Sequence, residues 1–247
     1  MSINMAFGFP REAEKAKAER WPVLIPVGTM EYHSEHCAYG CDSLVSIGLI
    51  DKIAEKIDAV VMPPIWYGVA SYAVAGPEKN TIHVDCDTFE AYIYSILKSL
   101  LYGGWRNIYM VVAHQTEDYN PMELACMKAA RKLIFEYLED TRGKGWWGSN
   151  DMKTFYDSLD AADNPWNWIK VLNGLPKNVR NMTDFGCDHA GIYETSKLKA
   201  LYPEAVKEER IVDSPEWFTQ SARDMSLELG ERMNRFAVDE LIKAITK

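Results

Sequence analysis

Apolar residues gather along this chain in short blocks, separated by stretches where they recur at helical spacing. Residues 21–28 (WPVLIPVG) form an apolar block closed by a glycine, which predicts a buried strand. A polar loop over 29–42 follows. Residues 43–57 (SLVSIGLIDKIAEKI) then put their apolar side chains on one helical face, with Asp42 or Ser43 as N-cap. Residues 59–65 (AVVMPPI) predict a second buried strand, 88–103 a helix with Thr88 near its cap, and 107–114 (NIYMVVAH) a third strand. Residues 121–140 form a strong helical pattern, and Pro121 suits its first turn. The final segment, 215–246, predicts one long amphipathic helix. Strands alternating with helices imply right-handed crossovers and an α/β fold on a mainly parallel sheet.

Residues 141–180 break the rhythm. They hold Trp146, Trp147, Trp166 and Trp168 among several turn formers. A connection this long and aromatic is expected to be functional, as a lid or a subunit contact. It is too hydrophobic for a disordered segment. With no internal repeat and no low-complexity linker, the expectation is one domain over 1–247, carrying 141–180 as an insertion.

Size and composition narrow the function classes. A chain of 247 residues buries roughly 70–75% of its unfolded surface and needs no disulfides. Its 47% hydrophobic and 26% charged residues are ordinary for a globular protein. A net charge of −9 with no basic run excludes a nucleic-acid partner, which requires clustered Lys and Arg. No stretch of about 20 apolar residues is present to span a membrane. The five cysteines are odd in number and lack zinc-ribbon spacing, so they are expected to be reduced thiols. The first twenty residues lack an apolar signal core. Together these features predict a cytoplasmic protein.

Four of the five histidines fall in three polar clusters; only His83 lies apart. The first cluster, residues 28–42 (GTMEYHSEHCAYGCD), holds Glu31, His33, Glu35, His36 and Asp42. Carboxylate and imidazole are the donors that zinc, manganese and related ions take in catalytic sites. In an extended segment, alternation puts Glu31, His33 and Glu35 on one side. Without a metal the same residues would be a polar loop, with Asp42 a plain helix cap. The second cluster, residues 111–120, begins where His114 ends the third strand. It continues through Glu117 and Asp118, which would also suit a helix N-terminus. The third, residues 186–198 (GCDHAGIYETSKL), holds Asp188, His189 and Glu194, with Gly191 permitting a close approach. Open parallel sheets bind ligands beyond the carboxyl ends of their strands. The loop carrying His33 and the strand-end His114 both belong at that edge.

Read in order, these clusters resemble the creatininase family. That family opens with G-[ST]-x-E-Q-H-G-P-H-x-P-x-x-x-D after a strand, and here Gly28, Thr29, Glu31, His33, His36 and Asp42 stand at those positions. A strand followed by N-G-H-G-G-N comes next, matched in part by residues 112–117 around His114. The third motif, H-A-G-x-x-E-T-S, matches His189, Ala190, Gly191, Glu194, Thr195 and Ser196 without a gap. The resemblance implies a three-layer α/β/α sandwich. It also implies a site for two divalent ions, zinc or manganese with iron also compatible, typically in a homo-oligomer, often a hexamer. Carried over by position, Glu31, Asp42 and His114 would hold one ion, and His33 and Asp42 the other, with Asp42 bridging. Where the creatinine-cleaving enzyme places a Glu two residues after the strand-end His, this chain has Thr116. Glu194 is therefore the expected remaining ligand and Glu117 the alternative. His189 is the expected proton shuttle, and Glu117 is the second candidate catalytic residue.

The chain also departs from the pattern. Tyr32 stands in place of Gln, Ser34-Glu35 in place of Gly-Pro, and Val112-Ala113 in place of Asn-Gly. Ligands persist while their neighbours change, so the expected substrate is a small ring other than creatinine. The leading expectation is hydrolysis of a cyclic amide or related C–N bond. The alternatives are carbon–carbon hydrolysis of a cyclic keto-polyol such as a keto-inositol, or a non-catalytic binding protein that keeps the fold.

Overall fold

The computed structural model describes residues 2–114, 120–175 and 186–246. Among them, five strands form one sheet: β1 (Ile3–Asn4), β2 (Val23–Val27), β3 (Val60–Val61), β4 (Ile108–Val112) and β5 (Ile169–Asn173). Their order is β1-β3-β2-β4-β5 and every pairing is parallel. The α-helices among the described residues are α1 (Pro10–Ala18), α2 (Cys41–Ala54), α3 (Cys86–Tyr102), α4 (Pro121–Arg142), α5 (Ile192–Leu201) and α6 (Leu227–Ile245).

Every residue of β2 and β4 is buried, as expected of central strands covered on both faces. Alternation splits their side chains between two cores. Val23, Ile25 and Val27 of β2 join Ile108, Met110 and Val112 of β4 against α1, α3 and α4. Leu24, Tyr109 and Val111 face the other way, against Leu49 and Ile53 of α2, Leu198 of α5 and Leu241 of α6. The result is a three-layer α/β/α sandwich around a parallel sheet. Leu49 and Ile53 are fully buried, each contributing roughly 1.5–3 kcal/mol of apolar burial.

Helix α2 is pinned to the carboxyl ends of the central strands. The Ser46 hydroxyl accepts from the amide of Val27 at 3.2 Å and donates to the carbonyl of Val111 at 2.7 Å. The approach is close enough that a Cβ on Gly28 would lie 2.5 Å from Cα of Ser43. This contact delivers the first turn of α2 to the edge where the polar clusters meet.

Several elements differ from the sequence expectations. Helix α2 begins at Cys41, so Asp42 lies inside the first turn and caps nothing; Gly40 occupies the cap position with no side-chain bond. The second strand shrinks to two residues because the two prolines after Met62 withhold ladder donors. The final segment is not one helix. Its first part is a 3₁₀ stretch over Trp217–Asp224, and α6 starts afresh after Ser226, whose hydroxyl accepts from the amide of Leu229 at 3.1 Å. Residues 141–180 contain β5, which pairs with β4 as a true sheet strand. The carbonyl of Trp168 accepts from the amide of Ile108, so the tryptophan segment sits at the amino edge of the sheet, away from the clusters. No helix among the described residues is long and apolar enough to cross a membrane.

Candidate metal centre

Four pieces of chain converge at the carboxyl edge. The loop after β2 brings Glu31 and His33, α2 brings Asp42, the end of β4 brings His114, and the turn into α5 brings His189 and Glu194. Glu31, His33, Asp42 and His114 are all at most 5% exposed. Glu35, which strict alternation would add, is exposed instead, because the chain turns at residues 34–36. That turn is entered by Ser34 in the left-handed region, φ 61°, where the family pattern has glycine.

Asp42 lies at the centre of the arrangement. Its Oδ2 is 3.1 Å from Nδ1 of His114, and the same nitrogen is 3.4 Å from Oε2 of Glu31. Its Oδ1 is 3.7 Å from Nε2 of His33, which in turn is 3.5 Å from Oε2 of Glu194. Two donor sets thus share one carboxylate. Backbone contacts fix the set: the amide of Asn120's side chain holds the His114 carbonyl at 3.1 Å, and the amide of Ala190 donates to Glu194 at 2.8 Å.

The tautomer of His33 follows from its partners. Nδ1 lies 3.0 Å from the carbonyl of Glu31, which can only accept, so Nδ1 carries the hydrogen. Nε2 then presents its lone pair to two carboxylates, and it is buried with no hydrogen-bond partner. Facing acceptors leave room for only a proton or a cation between them. Among the described residues, no Lys or Arg forms an ion pair with Glu31, Asp42 or Glu194; their close charged neighbours are histidines. Buried carboxylates without compensation are costly. The residues therefore fit a divalent cation, and the second ring nitrogen of His33 is committed to a carbonyl in the manner usual for a ligating imidazole.

Electrostatics tell the same story in the metal-free chain. Burial, then Asp42, pushes the Glu31 carboxyl up. Burial opposes the imidazolium of His114, but Asp42 and Glu31 outweigh it and push the group up to about 9. Burial likewise opposes a charged His33, but Cys41 and Asp42, with Glu194, outweigh it and raise the group well above its ordinary value. Burial also works against the Glu194 carboxylate, yet His33 and His189 more than offset it and hold that carboxyl down.

His189 has a different environment. Its Nε2 lies 2.8 Å from the carbonyl of Tyr32 and so donates, leaving Nδ1 as acceptor. The ring stacks on His33 at 4.3 Å between centroids and meets the edge of Phe218 at 5.3 Å. Burial, and then the neighbouring His33, lower its pKa, so it is neutral near pH 7. Asp188 caps α5 by accepting from the amides of Tyr193 and Glu194 at 2.9 and 3.0 Å. Gly191 makes this possible, since a Cβ there would lie 2.3 Å from the Asp188 carboxylate.

Not every candidate joins the site. His36 is taken up by Ser214 and Thr195, each 3.1 Å from a ring nitrogen, and ties the loop to α5. Glu117 lies outside the described residues. The tryptophans do not cover the site of their own chain: Trp146 and Trp168 pack into the core, while Trp147 and Trp166 line an open cleft of about 730 Å³. Sequence reasoning missed the role of Glu216, which accepts from the hydroxyls of Tyr32 at 2.6 Å and Ser34 at 2.9 Å. Its partners are two of the positions where the chain departs from the family pattern, a signal present in the sequence but without a partner there. It also missed Cys41, whose sulfur lies with His33 and Glu194.

A family model described as creatininase, creatinine amidohydrolase, matches residues 10–245. The chain belongs to the creatininase family. It is a metal-dependent hydrolase. A creatinine amidohydrolase from Pseudomonas putida is 27% identical over 199 residues, spanning 78% of this chain and 69% of that enzyme. A 3-dehydro-scyllo-inosose hydrolase from Thermotoga maritima is 28% identical over 192 residues, covering 78% of this chain but only 54% of the relative. Solved creatininase structures share the fold. A manganese form superposes with a TM-score of 0.73 at 22% identity, with 99% of this chain and 98% of that one covered. A Glu-to-Gln mutant of Zn-Zn type gives 0.74 at 22% identity, covering 99% and 97%. The creatininase fold thus matches the α/β/α expectation along the chain's full length.

Proposed function

We propose that this creatininase-family chain opens a small cyclic substrate at a C–N bond. In this reading Glu31, Asp42 and His114 hold one divalent ion, and His33, Asp42 and Glu194 hold a second. The observation that carries it is the buried, unpartnered Nε2 of His33 facing two carboxylates. Bound ions would supply a water acidified toward neutrality and a Lewis acid for a carbonyl oxygen. The chain supplies the rest. Asp42 spans both donor sets. The neutral His189, fixed by the carbonyl of Tyr32, takes a proton at Nδ1 and hands it to the leaving nitrogen, work suited to an imidazole near pH 7. The stacking of His33 and Phe218 against His189 holds that ring in place.

A second reading, carbon–carbon hydrolysis of a cyclic keto-polyol, is favoured by one observation. The relative acting on an inosose shares 28% identity with this chain against 27% for the creatinine-cleaving one, over 54% of its own length against 69%. His189 would then deliver its proton to carbon. The test is a screen of cyclic amides against keto-inositols with metal-loaded protein, with ring opening followed by NMR. Turnover confined to the amides supports the first reading. Turnover confined to keto-polyols transfers it to the second. Inertness toward both would overturn both readings of the substrate.

Zinc or manganese, with iron compatible, suits this mix of carboxylate and imidazole donors. The reading also includes a homo-oligomer, a hexamer in the family pattern, in the cytoplasm. Three of the five cysteines are buried as thiols, which suits a reducing compartment.

A further inference from the structure

Cys41 opens α2 immediately before Asp42 and has no solvent exposure. Its Sγ, a ring nitrogen of His33 and a carboxylate oxygen of Glu194 all lie within 4.8 Å of one another. The family pattern leaves this position open, so the cysteine is a choice of this chain. The other buried thiols lack such surroundings. Cys37 turns to the hydroxyl of Thr195 at 3.6 Å, and Cys126 packs in the opposite core. A buried cysteine often serves as a small hydrophobe. Here, however, it stands beside His33, whose Nε2 is buried without a hydrogen-bond partner and lies 3.5 Å from the Glu194 carboxylate of the same group.

We propose that Cys41 is a protein ligand of the second cation, joining His33, Asp42 and Glu194. This rests on the reading above that the pocket holds a cation. Four donors of nitrogen, oxygen and sulfur make a tetrahedral complement suited to zinc. A sulfur ligand tips the preference of this position away from manganese, which favours oxygen donors. The thiolate rather than the thiol is the ligating form, so coordination releases the Sγ proton. The chain would therefore hold two unlike cation positions: one of two carboxylates and an imidazole, and one that adds a thiolate.

X-ray absorption at the zinc edge of zinc-loaded wild-type protein tests this without an activity assay. One thiolate shared over two zincs gives about half a sulfur per zinc at about 2.3 Å, against nitrogen and oxygen at about 2.0–2.1 Å. Cys41→Ser should lose the sulfur shell and Cys37→Ser should keep it. Two bound zincs with only nitrogen and oxygen neighbours would overturn the assignment of Cys41 and leave the metal centre standing. A sulfur shell that survives Cys41→Ser would overturn it as well. Failure of the wild-type protein to bind zinc would overturn both the assignment and the metal centre beneath it. Should Cys41→Ser not fold, a wild-type sulfur shell that persists in Cys37→Ser, Cys86→Ser, Cys126→Ser and Cys187→Ser alike leaves Cys41 as its source, and loss of the shell in any one of them would overturn the assignment.

Discussion

At position 33 an imidazole with one nitrogen committed to a carbonyl has only the other to offer a cation, and position 189 reverses the pattern by committing Nε2. The two histidines stack, yet the proposal gives them separate tasks, which substitution separates. His189→Ala should lower kcat by about 10²–10⁴-fold while the bound-metal content, measured by mass spectrometry, stays unchanged; loss of metal together with activity would make His189 a ligand. Glu194→Gln should halve the bound metal and Glu117→Gln should leave it intact; the reverse result would hand the second site to Glu117. Metal affinity should also depend on pH. In the metal-free chain Asp42 and Glu31 overcome the burial penalty and push His114 up to about 9, so near neutrality a cation must displace a proton. Affinity should therefore rise with pH toward that value, and below it fall about tenfold per pH unit for each proton displaced. Calorimetric titration across about pH 6 to 8 checks this, and a flat profile would contradict it. The candidate donors that the fold brings together were legible in the sequence because a catalytic metal site needs particular donor types, and the spacing of the first and third motifs preserves them. Glu216 and Cys41 were not legible, because each acts through a contact that only the folded chain creates.

The helix that carries Asp42 is placed by packing as much as by its own sequence. Gly28 lets α2 press against the end of β2, and a Cβ there would meet Cα and N of Ser43 at 2.5 Å. Gly28→Ala should therefore push α2 outward, costing about 1–3 kcal/mol in thermal unfolding and weakening metal binding in the same protein. Stability lost with metal affinity untouched would show that the helix contact does not set the site. The long apolar blocks at β2 and β4 were plain in the sequence, since strands buried on both faces leave continuous hydrophobic runs. Strand β5 was hidden because IKVLN mixes a lysine and an asparagine into a short run beside turn formers. Helix α1 escaped because PREAEKAKA buries only two alanines and offers no strong apolar stripe. The break before α6 depends on the cap at Ser226, a local bond that the wider periodicity masked.

Across the whole molecule, parallel topology does the gathering. Because β2 and β4 run side by side in register from Val23–Ile108 to Val27–Val112, their following loops emerge together, and motifs more than 70 residues apart share one edge. The same topology sends the tryptophan segment to the other edge, where it cannot close over its own chain's site. The most direct measurement of the account is anomalous diffraction from crystals of the zinc-loaded protein. Two peaks are expected, one among Glu31, Asp42 and His114 and one beside His33 and Glu194, with the Asp42 carboxylate touching both. Zinc bound elsewhere, or a carboxyl edge holding none, would contradict it.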